Sequence, residues 1–156
     1  MQDDNAKPTF QPFDASSYRV GIVVAQFNGK ITEVLLESAQ QRLAEYRVPS
    51  ENVTILRVAG SIEIPVVLQS LAKSGNIDCL VALGTIIRGD TPHFDYVAKI
   101  VAEGVLRVML DQTVPVGFGI LTLENKKQAE GRTSSGAGAV EAALQSAYIL
   151  KNGKNA

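Results

Sequence analysis

The stretch "GTIIRGDTPH" (84–93) ends on the one histidine of the chain. Thr91 and Pro92 are typical of the N-cap and first position of a helix. The unpaired N–H groups of a helix start can bind an anion such as phosphate, here beside Asp90 and Thr91. In the same turn, His93 can exchange a proton near pH 7. The pattern indicates either an ordinary helix start or acid–base chemistry on an anionic ligand.

Two other segments carry residue types suited to ligand binding. "AQFN" (25–28) places the ring of Phe27, which can stack on a flat molecule, next to the amide of Asn28. "AGSIEIP" (59–65) combines a glycine turn with Ser61 as a helix N-cap and Glu63 in the first helical turn. Simple capping explains the second segment equally well, so these residues acquire a function only if the fold brings them together.

Four short runs rich in valine and isoleucine predict the strands that position these segments. They are "YRVGIVVA" (18–25), "VTILRVA" (53–59), "CLVALGT" (79–85) and "VPVGFGILT" (114–122). Longer segments with helical spacing lie between them, and "GAGAVEAALQSAYIL" predicts a C-terminal helix. In the first, "ITEVLLESAQQRLAEY", the residues expected on one face are Val34, Leu35, Ala39, Leu43 and Tyr46.

Strands that alternate with helices favour a parallel sheet covered on both faces, because right-handed crossovers place the helices over the sheet. The predicted fold is α/β, a flavodoxin-like three-layer α/β/α sandwich around a central four-stranded parallel sheet. Ligands in such sheets bind beyond the carboxyl ends of the strands. The segments to consider for chemistry are therefore "AQFNGK", "AGSIEIP", "GTIIRGDTPH" and "TLENKKQAEGR".

The composition narrows the class of protein. The chain has 156 residues, of which 46% are hydrophobic and 20% charged, and a formal net charge of −1. These values indicate one water-soluble domain, without the basic patch of a nucleic-acid-binding protein or an apolar stretch long enough to span a bilayer. Cys79 is the one cysteine, which excludes an internal disulfide and a cysteine-rich metal site; it lies in an apolar run and is expected in the core. We expect a cytoplasmic protein.

The first 17 residues differ from the rest. "MQDDNAKPTFQPFDASS" carries acidic residues where a secretory signal is basic, and no apolar segment follows it. We expect a flexible arm over 1–17, or a strand lent to a neighbouring subunit, followed by a single domain over 18–156.

Taken together in this order, five segments resemble the 6,7-dimethyl-8-ribityllumazine synthase family of riboflavin biosynthesis. They are "AQFN" (25–28), "AGSIEIP" (59–65), "ALGTIIRGDTPHFDYV" (82–97), "PVGFGILTLEN" (115–125) and "QAEGR" (128–132). Each is weak alone, but the five in order are highly specific. The resemblance implies that 5-amino-6-ribitylaminouracil condenses with 3,4-dihydroxy-2-butanone 4-phosphate to give the lumazine, water and phosphate, without a metal or cofactor.

The resemblance also implies a role for each matching residue. His93 would carry protons, and Asp90, Thr91 and Arg132 would bind the phosphate, Asp90 through its backbone N–H. The uracil substrate, with its ring and ribityl chain, would contact Phe27, Asn28, Ser61, Ile62, Glu63, Thr85, Ile86, Ile87 and Phe118. Because Phe118 lies within the fourth strand, the resemblance implies that it enters a neighbour's site, so that the site forms between subunits.

The resemblance further implies a homo-oligomer, either a pentamer or a sixty-subunit icosahedral capsid, with riboflavin synthase as a further partner. One segment departs from the family pattern: after the arginine, the family often has Ala-Gly-Thr-Lys-Ala-Gly-Asn-Lys-Gly. This chain has "TSSGAGAV" (133–140), which contains neither lysine. Two alternatives stay open on other grounds: a relative that binds a flavin or lumazine without catalysis, and a protein whose main function is its shell.

Overall fold

The computed structural model describes residues 7–156 of the chain. Strands and helices alternate along this part: β1 Val20–Ala25, α1 Gly29–Glu45, β2 Val53–Val58, α2 Ile64–Lys73, β3 Cys79–Ile87, α3 His93–Gln112, β4 Val116–Leu123 and α4 Ser135–Asn152. Short 3₁₀ turns lie at Ser50–Asn52, Ser61–Glu63 and Lys126–Ala129. The predicted strands are found within a few residues of their expected bounds.

The four strands form one parallel sheet in the order β2-β1-β3-β4. β1 and β3 occupy the centre, and their continuous apolar sequences are buried on both faces, as expected for inner parallel strands. β2 is an edge strand with polar and partly exposed positions. The predicted α/β class and four-stranded parallel sheet are confirmed.

Each face of the sheet is covered by two helices. α1 and α4 pack on one face and α2 and α3 on the other, which divides the apolar side chains into two clusters. Cys79 points into the α1/α4 cluster, where burial raises the pKa of its thiol to about 12. The expected core position of this cysteine is confirmed. None of the helices in residues 7–156 is long and apolar enough to cross a membrane.

The buried face of α1 differs in part from the predicted one. Leu35, Ala39 and Leu43 are buried as expected, but Val34 is 41% exposed, and Leu36 is buried. Successive helical residues are rotated by about 100°, so a face centred on Leu35 and Leu36 turns position 34 towards solvent. The prediction for Val34 was wrong because the buried face extends from Leu35 towards Leu36 and not towards position 34.

Two glycines allow α4 to approach its neighbours closely. A Cβ on Gly117 of β4 would overlap the backbone carbonyl of Ala139, and a Cβ on Gly136 of α4 would overlap that of Leu35 in α1. Gly136 of the "SSGAGA" segment is therefore explained by close packing of backbones, whereas Gly138 has open space at the position of a Cβ.

The end of the predicted N-terminal arm is in contact with the core. Residues 1–6 lie outside the described residues, and residues 7–15 contain neither helix nor strand. The N–H of Ala15 donates to the carbonyl of Tyr46 at 2.8 Å. The ring of Phe13 packs against three tyrosine rings. The centroid of Phe13 lies 5.5 Å from that of Tyr18, 5.1 Å from that of Tyr46 and 4.8 Å from that of Tyr148. The boundary at residue 17 stays a prediction.

Candidate active site

A cleft of about 400 Å³ opens at the carboxyl end of the sheet. It lies beyond β1 and β3, where the strand order reverses and where open parallel sheets bind their ligands. All four segments that follow the strands contribute to it. Its walls are formed by Phe27, Asn28, Gly60, Ser61, Ile62, Glu63, Thr85, Ile86, Ile87, Gly89, Thr91, His93, Phe94, Val97 and Lys126.

The turn after β1 presents an aromatic ring on one side of the cleft. Phe27 is 71% exposed, which is unusual for a phenylalanine and leaves its ring accessible to a flat molecule. Asn28 precedes α1 in the left-handed conformation (φ 60°, ψ 42°), which asparagine tolerates better than most residues. Its Nδ2 donates to the backbone carbonyl of Thr85 at 3.0 Å. The amide thus ties the turn to β3 and holds Phe27 at the cleft.

The turn after β2 is closed by a capping arrangement that differs from the predicted one. Gly60, rather than Ser61, is the N-cap, and its N–H donates to Oε2 of Glu63 at 3.0 Å. Ser61 is buried instead, in the first position of the 3₁₀ turn. Its Oγ would lie 2.5 Å from a Cβ added to Gly84, so the glycine in β3 makes room for this serine. The carboxylate of Glu63 accepts this backbone hydrogen bond in the first turn, where the sequence placed it.

β3 presents a free backbone edge to the cleft. Its pairing with β1 ends at Leu83, whereas its pairing with β4 continues to Ile87. The chain after β1 turns away because the N–H of Phe27 donates to the carbonyl of Ala59 beyond β2. Residues 85–87 therefore lie at an edge without a neighbouring strand on the β1 side, where only the carbonyl of Thr85 is bonded, to Asn28. Such an edge can pair with the polar rim of a planar ring.

α3 begins at the cleft with His93. The structure starts the helix one residue later than predicted, with Pro92 as the preceding residue. The Thr91 hydroxyl nevertheless accepts the N–H of His93 at 3.4 Å, so it contributes to the capping expected of it. His93 is exposed, and it lines the cleft together with Thr91. The positive end of the 20-residue helix and a proton-carrying side chain therefore face the same space.

Arg88 lies near this helix start but is held away from the cleft. Its Nε is 2.7 Å from Oε2 of Glu124, its Nη2 is 3.4 Å from Oδ1 of Asp95, and its guanidinium lies 4.4 Å from the ring centroid of Phe94. Hydrogen bonds to Glu124 and then Asp95 raise its pKa. The arginine fixes the outer side of α3 and is not part of the cleft wall.

Most of the predicted site residues share this cleft, and three do not. Asp90, Phe118 and Arg132 are absent from its walls in the single chain. Phe118 is 48% exposed on β4, which is an edge strand. The guanidinium of Arg132 donates from Nη1 to the carbonyl of Gln128 at 2.6 Å. The roles assigned to these three residues stay predictions.

Four cleft residues were given no role from the sequence, Gly60, Phe94, Val97 and Lys126, and Lys126 is the charged one among them. Lys126 lies in the 3₁₀ turn after β4 and lines the cleft. The signal was its position in "TLENKKQAEGR", a segment that follows a strand, but nothing in the sequence distinguishes it from Lys127. Among the described residues, no group of three or more histidine, cysteine, aspartate or glutamate side chains is placed to hold a metal ion.

Comparison with known proteins identifies the family. Residues 17–151 match the model of the 6,7-dimethyl-8-ribityllumazine synthase family. A 6,7-dimethyl-8-ribityllumazine synthase of Mycobacterium avium is 44% identical over 151 residues, covering 92% of each chain. The enzyme of the same name from Desulfovibrio desulfuricans is 45% identical over 132 residues, covering 83% of this chain and 85% of the relative. The resemblance seen in the five segments is thereby confirmed, and the chain belongs to the 6,7-dimethyl-8-ribityllumazine synthase family.

Proposed function

We propose that the chain condenses 5-amino-6-ribitylaminouracil with 3,4-dihydroxy-2-butanone 4-phosphate to 6,7-dimethyl-8-ribityllumazine, the penultimate step of riboflavin biosynthesis. One observation carries the proposal. The cleft at the carboxyl ends of the strands brings together the predicted residues around Phe27, Ser61, Thr85 and His93, which come from separate parts of the chain. The family membership supports the same reaction.

The uracil substrate would bind between the turn after β1 and the edge of β3. The exposed ring of Phe27 is available to stack on the pyrimidine. Backbone groups of residues 85–87 on the β1 side, other than the Thr85 carbonyl bound by Asn28, would pair with ring carbonyl and N–H groups. The side chains of Ile86 and Ile87 would enclose the ring. Ser61, Ile62 and Glu63, which also line the cleft, would contact the ribityl chain.

The phosphate of the second substrate would bind at the start of α3. Gly89 and Thr91 line the cleft there, and Asp90 between them offers its backbone N–H. The free N–H groups and the positive dipole of a long helix favour an anion at this position. Arg132 keeps its proposed phosphate role, but it would need a movement of its segment or a second subunit to reach the cleft.

His93 would move the protons of the reaction. The 5-amino group attacks the ketone and water leaves to form the imine. Phosphate is then expelled, and the resulting enol tautomerises to a carbonyl. Attack of the ribitylamino nitrogen on that carbonyl, with loss of a second water, closes the second ring. Each bond change moves a proton on or off nitrogen or oxygen, and an exposed imidazole on the cleft wall can carry it. Holding both substrates in the cleft would supply most of the acceleration, with a further factor of about 10²–10⁴ from His93.

The proposal includes assembly. Phe118 is exposed on an edge strand and is not part of its own cleft wall, which suits a role in the site of a neighbouring subunit. We therefore propose a homo-oligomer, a pentamer or a sixty-subunit capsid, with sites between subunits. Riboflavin synthase is the proposed consumer of the product, and the reduced, buried thiol of Cys79 suits a cytoplasmic location.

The test is an assay of the purified chain with both substrates, following the absorbance and fluorescence of the lumazine against a control without protein. His93→Ala should lower kcat by about 10²–10⁴ and leave both KM values nearly unchanged. Lys99→Ala is the matched control, because Lys99 is an exposed residue of the same helix whose ion pair with Glu103 lies at the surface.

Each negative result has a separate meaning. A wild-type rate equal to that of the uncatalysed condensation would reject the synthase function and favour a relative that only binds the ring system. An active wild type with an equally active His93→Ala variant would keep the function and remove the role of the histidine.

A further inference from the structure

One side chain, that of Arg88, spans the connection between β3 and α3. The backbone N–H of Arg88 still donates to the carbonyl of Leu123 at 2.8 Å, which fixes the residue to the end of β4. Its guanidinium contacts the first turn of α3. Nη2 lies 3.4 Å from Oδ1 of Asp95, and Cζ lies 4.4 Å from the ring centroid of Phe94. The arginine therefore joins the end of the sheet to the helix start that carries His93.

The same guanidinium is anchored to the segment after β4. Its Nε donates to Oε2 of Glu124 at 2.7 Å. The backbone N–H of Glu124 donates in turn to Oε1 of Gln128 at 2.7 Å, so this carboxylate lies on a turn closed by its own hydrogen bond. Two carboxylates and a ring thus engage the guanidinium, and Arg88 lies outside the cleft wall. Its place in the fold is that of a support and not of a substrate ligand.

The other contacts of the first turn of α3 hold it less firmly. No side chain caps the helix at Pro92, and the hydrogen bond from the N–H of His93 to the Thr91 hydroxyl is long, at 3.4 Å. Phe94 packs against the α2/α3 cluster on one side and lies under the guanidinium of Arg88. The imidazole of His93 is exposed on the cleft wall, so its position follows from the backbone of this turn.

From these contacts we propose that Arg88 is a positioning residue for the reaction, which fixes the first turn of α3 so that His93 is aligned with the reacting atoms. The inference rests on the proposed synthase function, which supplies those atoms. A misplacement of about 1 Å can lower the rate of a reaction by about 10²-fold. Partly exposed ion pairs contribute little to global stability. Loss of the arginine should therefore disturb this turn and its chemistry without unfolding the chain.

The first experiment compares Arg88→Met with Arg57→Met. Arg57 is the matched control, because it lies outside the cleft wall and makes a two-point pair with Glu33, from Nε at 3.0 Å and Nη2 at 3.2 Å. Arg88→Met should lower kcat by about 10-fold to 100-fold and leave the KM for the uracil substrate nearly unchanged. Arg88→Lys should restore part of kcat, because an ammonium group keeps the charge but lacks the planar fork that bridges two carboxylates. Arg57→Met should match the wild type.

A double-mutant cycle shows whether Arg88 acts through His93. In the His93→Ala background, Arg88→Met should lower kcat by a much smaller factor than in the wild type, because the group that it positions is already gone. A general weakening of the fold would lower kcat by the same factor in both backgrounds, and that result overturns the inference. An unchanged kcat in Arg88→Met, or an equal loss in Arg57→Met, overturns it as well.

Hydrogen–deuterium exchange tests the positioning without turnover. The backbone amides of residues 89–96 should exchange faster in Arg88→Met than in the wild type, whereas those of α4 should not change. Arg57→Met should leave the exchange at residues 89–96 as it is in the wild type. Faster exchange confined to this segment supports the anchoring even where the wild type shows no synthase activity, which would reject the proposed function alone. Unchanged exchange at residues 89–96 in Arg88→Met overturns the inference in either case.

Discussion

Asn28 permits a test of how the cleft is held open, because its backbone and its side chain contribute separately. The residue has φ 60° and ψ 42°, and its Nδ2 donates to the carbonyl of Thr85 at 3.0 Å. Loss of one partly buried hydrogen bond costs about 1 kcal/mol. An alanine in the left-handed conformation costs about 1 kcal/mol more, which glycine does not incur.

We therefore expect Asn28→Ala to lower the free energy of unfolding by about 2 kcal/mol and Asn28→Gly by about 1 kcal/mol. For a chain of this size, these losses correspond to a fall in Tm of roughly 4–8 °C and 2–4 °C. The measurement is urea or thermal unfolding at one fixed protein concentration, because assembly would shift the apparent stability. Since the amide also fixes the turn that carries Phe27, both variants should raise the KM for the uracil substrate more than that for the butanone phosphate.

Two outcomes would refute the reasoning. If Asn28→Gly is destabilised as much as Asn28→Ala, the left-handed conformation makes no measurable contribution. If both variants unfold like the wild type, the hydrogen bond to Thr85 does not stabilise the turn, and the KM effect should vanish with it.

Two further predictions concern the packing behind the site. Gly136→Ala should lower the free energy of unfolding by about 3 kcal/mol, because the added Cβ would overlap the Leu35 carbonyl. Gly138→Ala, whose added Cβ meets open space, should raise it by up to about 1 kcal/mol. Equal unfolding midpoints for the two variants would contradict this. Burial raises the pKa of Tyr46 to about 12 from 10. Because folding favours the neutral phenol, the free energy of unfolding should fall as the pH rises from 10 to 12. Tyr46→Phe should remove this part of the dependence of stability on pH.

The strands, and the convergence of the segments that follow them, could be predicted from local sequence. The apolar runs around β1 and β3 are too continuous to be anything but buried strands in an alternating α/β chain, and the carboxyl ends of parallel strands meet at one edge. Phe27, Ser61 and His93 each follow such a strand, so their convergence was predictable without knowing any distance.

Capping was harder to predict, because several residues near a helix start can satisfy the same N–H groups. Ser61 was expected to cap, but it is buried against Gly84, and Gly60 with Glu63 closes the turn. The alternatives differ by a small local energy, and packing against β3 decided between them.

What the sequence by itself determined is the set of elements, the family and the segments from which a site could be built, because these depend on local composition and spacing. Only the tertiary structure decided which side chains meet. It placed Lys126 in the cleft and left Arg132 outside it, and it joined Asn28 to Thr85. The physical reason is that these relations depend on where the pairing of β1 with β3 ends and on how closely α4 packs against α1, and both are set by contacts between residues far apart in the chain.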